Sequence, residues 1–284
     1  MIAVKDVFLK YPNAPSDTIQ GISFEVKPGE IFGFLGPSGA GKSTMQKILT
    51  GVLRNYRGSV RVFDIEMKNR TNAYYERIGV DFEFPNFYNK FTALENLNYF
   101  ASLYAAKPTD PMQLLAKVGL ENGADKKVGS FSKGMKVRLG FIRALIHNPQ
   151  LLLLDEPTSG LDPANARILK DMVLEQKQMG KTVILTTHNM HDAEELCDRV
   201  AFIVDGKIKA LDAPYALREK GGNTQVSYRY ISDGKEINGS CALAELGASP
   251  DFQTALQMGT LKSIHSKERT LEDVFIELTG RCLQ

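Results

Sequence analysis

Gly36-Pro37-Ser38-Gly39-Ala40-Gly41-Lys42-Ser43-Thr44 fits the pattern GxxxxGK[ST], and it fixes the ligand class of this chain. Its glycines free the backbone to wrap N–H groups around phosphate oxygens. Lys42 is placed to reach β- and γ-phosphates, and the Ser43 hydroxyl to bind Mg²⁺. The flanks support this reading. Ile31-Phe32-Gly33-Phe34-Leu35 reads as a buried strand entering the loop, and Met45, Ile48, Leu49 and Val52 follow at helical spacing. The start of that helix adds its dipole to anion binding. The expectation is a nucleotide site.

Outward from the loop, 284 residues suffice for one large domain or a main domain with a small one. Apolar residues at 43% and charged residues at 24% are ordinary for a soluble globular chain. No run approaches the roughly 20 apolar residues needed to span a bilayer. The N-terminus MIAVKDVFLKYP lacks the basic-then-apolar plan of a signal peptide. Work at a membrane would therefore require a spanning segment from another chain. A net charge of +2 gives no reason to expect nucleic acid or an anionic membrane as the main partner. Cys197, Cys241 and Cys282 are scattered, fit neither a metal site nor a disulfide framework, and suggest a reducing compartment.

Ile22, Phe24 and Val26 alternate in a strand that ends in a Pro-Gly turn before the buried strand, and Val60 with Val62 marks another. From about Phe82 to Asn148 the pattern is mainly helical. Leu151 to Leu154 form a short apolar strand followed by Asp155-Glu156-Pro157, and Thr182 to Leu185 a further strand running into Thr186-Thr187-His188. RVAFIVDGKIKA reads as a hairpin turning at Asp205-Gly206. After about Arg218 the character changes. Gly221-Gly222 marks a boundary, TQVSYRYISDGKEI a second hairpin, and TLEDVFIELTG a helix capped by Thr270 with Asp273. Leu271, Val274, Phe275 and Leu278 make its expected apolar face. Strands interleaved with helices around a phosphate loop argue for an α/β domain with a largely parallel sheet, a helical insertion and a small C-terminal α+β appendage.

Several residues carry chemistry. Asp155, at a strand end, is placed to hold Mg²⁺ directly or through water, and Glu156 to polarise an attacking water near the γ-phosphate. Ser132 in Phe131-Ser132-Lys133-Gly134-Met135 either only caps the helix it opens or also presents an anion site. His188 is either a satisfied structural histidine or a group that hydrogen-bonds the γ-phosphate.

Taken together, these motifs resemble one family, the ATPase subunit of ATP-binding cassette (ABC) transporters. GPSGAGKST stands at its Walker A, LLLLDEP at its Walker B with the catalytic glutamate, FSKGM at its signature, SGLD at its D-loop and TTH at its switch histidine. All five occur in the family's order and spacing over about residues 1–218. The resemblance implies a P-loop NTPase core of residues 1–218 with an antiparallel β subdomain, and a helical subdomain of about residues 84–148. Residues 222–284 are an accessory region. It also implies a sandwich dimer, most simply a homodimer, with ATP-Mg²⁺ between Walker A of one protomer and the signature of the other. Ser132 and Gly134 would contact the partner's γ-phosphate, Asp162 would couple the two sites, and Tyr11 would stack on adenine unless it is ordinary packing.

Two positions depart from the family pattern. Glu83 stands where a glutamine usually links Mg²⁺ to the helical subdomain, adding negative charge beside ATP. Lys133 and Met135 replace the usual glycine and glutamine of the signature. Phe82, Phe84, Phe87, Tyr88 and Phe91 are either subdomain core or, as in the family, part of a groove for a permease coupling helix. The expected partner is an integral membrane permease, with this chain peripheral on the cytoplasmic face. The short TLEDVF-like tail favours export. The alternative, a soluble ABC ATPase acting on ribosomes or DNA, calls for two cassettes, a long coiled coil or clustered basic residues. A small-molecule kinase would leave SGLD and FSKGM unexplained.

Overall fold

The computed structural model describes residues 1–84, 86–219, 225–232, 234–267 and 269–280. These divide into two compact units, the first spanning Met1–Pro214 and the second beginning at Tyr215. The first unit opens with β1 (Ile2–Leu9), β2 (Ile19–Val26), β3 (Ile31–Leu35) and α1 (Lys42–Leu49). It continues through β4 (Arg57–Val62), β5 (Ile65–Glu66), α2 (Asn72–Tyr75) and β6 (Ile78–Asp81). Then come α3 (Ala93–Ala101), α4 (Pro111–Lys117), α5 (Lys133–Leu145), β7 (Leu151–Asp155) and α6 (Pro163–Gln178). It closes with β8 (Thr182–Thr187), α7 (Met190–Leu196), β9 (Arg199–Val204) and β10 (Lys207–Asp212).

Two sheets form the body of this unit. One is a four-stranded sheet in the order β2-β1-β4-β5, antiparallel throughout. The other has six strands in the order β10-β9-β3-β8-β7-β6. All its pairings are parallel except that of β10 with β9. Every residue of IFGFL, LLLLD and TVILTT is buried. Continuous apolar runs of this kind suit parallel strands covered on both faces. Phe24 of β2 and Phe32 and Phe34 of β3 pack ring on ring, with centroids 5.2–5.3 Å apart, and so join the two sheets. Met45, Ile48 and Leu49 of α1 close the same core. Val52, expected on that helix face, lies beyond its end and is 62% exposed, because the helix stops before Gly51 at φ +70°.

The β9–β10 hairpin does more than close the sheet edge. Gly206 at its tip donates to Ala40 O (3.1 Å) in the phosphate loop and accepts from Gln20 N–H (2.8 Å). It sits at φ +74°, and a Cβ there would lie 2.3 Å from Thr18 O. Only glycine fits this approach.

After α8 (Pro214–Glu219), the second unit has β11 (Gln225–Ser232), β12 (Lys235–Ala242), α9 (Pro250–Gln257), β13 (Leu261–Lys267) and α10 (Leu271–Thr279). Its sheet runs β12-β11-β13, antiparallel throughout. Tyr228 is its anchor: the ring packs edge-on against Phe252 of α9 at 5.2 Å, and its hydroxyl pairs with Ser249 Oγ at 2.9 Å. Helix α10 carries the expected reciprocal cap between Thr270 and Asp273, and Gly280 follows at φ +67°. Leu271, Val274 and Phe275 are buried, whereas Leu278 is 48% exposed, one turn beyond the covered stripe. The Gly221-Gly222 boundary falls outside the described residues.

Gly206→Ala is expected to destabilise the protein by about 2 kcal/mol, from a positive φ and a backbone clash together. Chemical denaturation measures this; a loss below about 0.5 kcal/mol would mean the hairpin tip can withdraw from Thr18 without cost.

Candidate functional site

Parallel strands bring their C-terminal ends to one edge, and here that edge holds the chemistry. In register, Leu35 lies beside Thr187, Asp155 beside Thr186, and Asp81 beside Leu154. The loops that follow β3, β8, β7 and β6 therefore meet. They enclose a cavity of ≈ 510 Å³ whose lining includes Lys42, Ser43, Glu83, Asp155, Glu156 and His188.

Within it, the Lys42 ammonium donates to Gly36 O (2.6 Å) and Pro37 O (3.1 Å), curling the loop around its own charge. Gly36 has no room for a side chain, since a Cβ would stand 2.1 Å from Ile203 O. Ser43 Oγ donates to Asp155 Oδ1 at 3.4 Å, and Thr186 Oγ1 donates to the same oxygen. His188 Nδ1 and Glu156 Oε1 are 2.9 Å apart. Burial lowers the Lys42 pKa, opposed by the fields of Glu156, Asp155 and Glu83. Burial raises that of Glu156, opposed by its hydrogen bond to His188. The site thus concentrates one cation and three carboxylates at the mouth of a helix.

A second cluster lies elsewhere. Ser132 caps α5, its Oγ accepting from Met135 N–H at 3.2 Å. Asp162 caps α6, its Oδ1 accepting from the N–H groups of Ala164 and Asn165 at 3.1 Å each. Gly134 packs against Leu161, and the Lys133 side chain lies over Gly160. None of Ser132, Gly134 and Asp162 lines the Lys42 cavity.

Residues 19–159, which include the phosphate loop, the Ser132 segment and Asp155-Glu156, match the family model described as ABC transporter. The whole chain is 51% identical over 288 residues to a fluoroquinolones export ATP-binding protein of Mycobacterium tuberculosis (strain CDC 1551 / Oshkosh), covering 94% of that protein. The chain belongs to the ATPase family of ABC transporters.

Identity to a Nod factor export ATP-binding protein I of Burkholderia orbicola (strain AU 1054) is 37% over 94% of this chain and 93% of that one. A solved ATP-binding cassette, dimeric in a post-hydrolysis state with ADP and Pi, superposes with a TM-score of 0.69 at 26% identity. That match covers 75% of this chain and 98% of the cassette. This ABC protein is accordingly a nucleotide-binding ATPase.

The expected residues fall into these two groups. Ser38, Gly39, Gly41, Lys42, Ser43 and Thr44 line the ABC ATPase cavity, together with Tyr11, Glu83, Asp155, Glu156 and His188. Pro37 and Ala40 take part through the loop's own hydrogen bonds. Tyr11 both lines the cavity and packs on the core, with its hydroxyl 3.2 Å from Thr44 Oγ1. The motif reading missed Thr18 in the lining and Asp81 beside Leu154, and it quoted Thr186 without foreseeing its bond to Asp155. Thr18 carries no sequence signal. Asp81 could have been noticed as an acid closing an otherwise apolar strand.

Asp81 is 3% exposed, and its Oδ1 has no hydrogen-bond partner. Burial pushes its pKa up to about 7, with Arg143 pulling the other way and Asp155 adding to the rise. Because the folded value lies above the unfolded one, the protonated carboxyl contributes stability that is full below about pH 4 and lost as pH rises through 7. Asp81→Asn is therefore expected to gain on the wild type by roughly 2–3 kcal/mol between pH 5 and pH 8. Unfolding midpoints across that range test the slope; parallel curves would refute it.

Proposed function

We propose that this ABC ATPase binds ATP with Mg²⁺, works as a homodimer, and drives an export permease from the cytoplasmic face of a membrane. The observation that carries the reading is the meeting of Lys42, Ser43, Asp155, Glu156 and His188 around one cavity, with Ser132, Gly134 and Asp162 outside it. Half of a nucleotide site on each of two surfaces is what a pair of copies related by a two-fold axis can complete. The N–H groups of the phosphate loop and the Lys42 ammonium would hold the triphosphate. Tyr11 would lie against the base.

Ser43 and Asp155, with Glu83 nearby, would hold Mg²⁺. Their hard oxygen donors suit that ion, and they are few, as expected where phosphates and water supply the remaining ligands. Bound there, the ion would neutralise phosphate charge. Glu156 is the general base: burial raises its pKa toward the working range, and His188 aims the carboxylate. Residues 1–218 act as the nucleotide-binding domain, with about 84–148 as its helical subdomain. Residues 222–284 form an accessory region that adds dimer contacts.

Among the described residues no helix is long and apolar enough to cross a membrane. The spanning part of the transporter would be a separate permease. Its docking place is the aromatic segment after β6, where Phe82, Phe84, Tyr88 and Phe91 are 39–69% exposed. A groove of ≈ 370 Å³ there is lined by Phe82, Phe84, Phe100, Tyr104 and Arg143 among others. Exposed aromatics at a concave surface suit a protein partner. The names of the relatives point to export, and their different cargoes suggest that the permease selects what is carried.

Pull-down from native membranes in mild detergent should recover a polytopic membrane protein in near-equal amount; recovery with ribosomes or DNA instead would overturn the transporter reading. Glu156→Gln should cut ATP turnover by roughly 10²-fold or more while nucleotide still binds. Steady-state hydrolysis beside a binding titration measures both, and undiminished turnover would place the base elsewhere. Glu83→Gln should tighten Mg²⁺-free ATP binding by roughly 3- to 10-fold, since it removes one negative charge from the cavity. Equal affinities with and without the substitution would show that Glu83 does not face the phosphates.

A further inference from the structure

The loops after β7 and β8 are fastened together at two points. One is the 2.9 Å contact between His188 Nδ1 and Glu156 Oε1. The other is behind the site: Thr158 Oγ1, two residues beyond Glu156, donates to Asp192 Oδ2 on α7 at 2.6 Å. Residues 156–158 and 188–192, closed by these two bonds, form a ring.

The Asp192 corner of this ring is built to stay put. The residue is 6% exposed. Its other oxygen accepts from Lys170 Nζ of α6 at 3.1 Å, and that ammonium also reaches Glu195 at 2.5 Å. Arg167 joins Glu195 to Asp171, so α6 and α7 are laced by charge. The Lys170 and Asp192 side chains are only 12% and 9% exposed, where an ion pair holds better than at the surface. Asn189 stiffens the remaining side by capping α7, accepting from the N–H groups of His191 (3.0 Å) and Asp192 (3.2 Å).

One member of the ring is strained. Glu156 sits at φ +51°, uncommon for a residue with a side chain. Such a conformation persists only where its surroundings over-determine it. Backbone bonds from Glu156 N–H to Thr186 O and from Ser159 N–H to Glu156 O, both 3.0 Å, supply part of that constraint. The Thr158–Asp192 bond supplies the side-chain part, on the same loop and from the helix that follows His188.

We propose that Thr158 and Asp192 are positioning residues that brace Glu156 against His188, so that the base and its histidine move as one body. Neither residue lines the cavity. The inference rests on the reading of Glu156 as general base. The brace sets its aim through His188, and removing it should lower turnover without weakening nucleotide binding.

The test uses the full chain, with Thr158→Val, Thr158→Ser and Asp192→Asn each made in the wild type and in His188→Ala. Single-turnover hydrolysis under excess enzyme keeps slow variants measurable. Thr158→Val should lower the hydrolysis rate roughly 10-fold or more, as small misplacements of catalytic groups do. Nucleotide affinity should stay within about 3-fold, the signature of an interaction felt at the chemical step. Thr158→Ser, which keeps the hydroxyl, should restore most of the rate. In His188→Ala the Thr158→Val change should add little further loss. Asp192→Asn should repeat this pattern, and it gives an independent reading if Thr158→Val fails to fold. Wild-type rates in Thr158→Val or Asp192→Asn would overturn the brace, as would an equal loss in both backgrounds. If Glu156→Gln hydrolyses ATP at the wild-type rate, the assignment of the base is what has failed.

Discussion

The parallel alignment of β3, β8, β7 and β6 is the constraint on which the rest of this structure depends. A parallel sheet ends all its strands at one edge, so segments separated by more than a hundred residues deliver their loops to the same place. Lys42 and Asp155 meet because β3 and β7 both flank β8 in register. Breaking that alignment would scatter the site. The three aromatic rings at the seam, Phe24, Phe32 and Phe34, hold the second sheet against β3 and so support the loop that β3 carries.

Electrostatics decides what such an edge can do. Three carboxylates around one buried ammonium make a cavity that is net acidic before a polyanion arrives. Backbone N–H groups and the helix dipole offset part of this, and a divalent cation would offset more. On the proposed reading, Glu83 would make nucleotide binding depend on a divalent cation more than a glutamine there would. Burial, with a smaller push from Asp155, raises the pKa of Asp81 to about 7, so this neighbouring carboxyl carries less negative charge near neutrality than an exposed one would.

Much of this was legible in the sequence. The phosphate loop, the acidic pair after a fully apolar strand and the threonine-threonine-histidine run each mark a strand end by composition alone, and the hairpin at Asp205-Gly206 announces itself by its turn. Val52 and Leu278 were misread for one reason: helical spacing continues on paper after the backbone has stopped or the covered stripe has ended. The roles of Thr18, Thr186 and the Thr158–Asp192 pair were invisible because they arise only when separate loops are folded together. A buried threonine in a strand looks the same whether or not a carboxylate waits beside it.

The two clusters on this chain are connected through α5. Ser132 and Gly134 stand at its first turn, and Arg143 near its last, about 15 Å along the 13-residue helix. The Arg143 guanidinium lies 4.9 Å from the ring centroids of both Phe87 and Phe100 and donates to Asn86 O at 2.8 Å. Asn86 is three residues beyond Glu83, which lines the nucleotide cavity. Arg143 thus fastens α5 to the Asn86 segment by a hydrogen bond and by two aromatic faces that favour a cation. The same clamp lines the exposed aromatic groove. One helix thus carries the Ser132 turn at one end and, at the other, an arginine held by the segment that lines the groove.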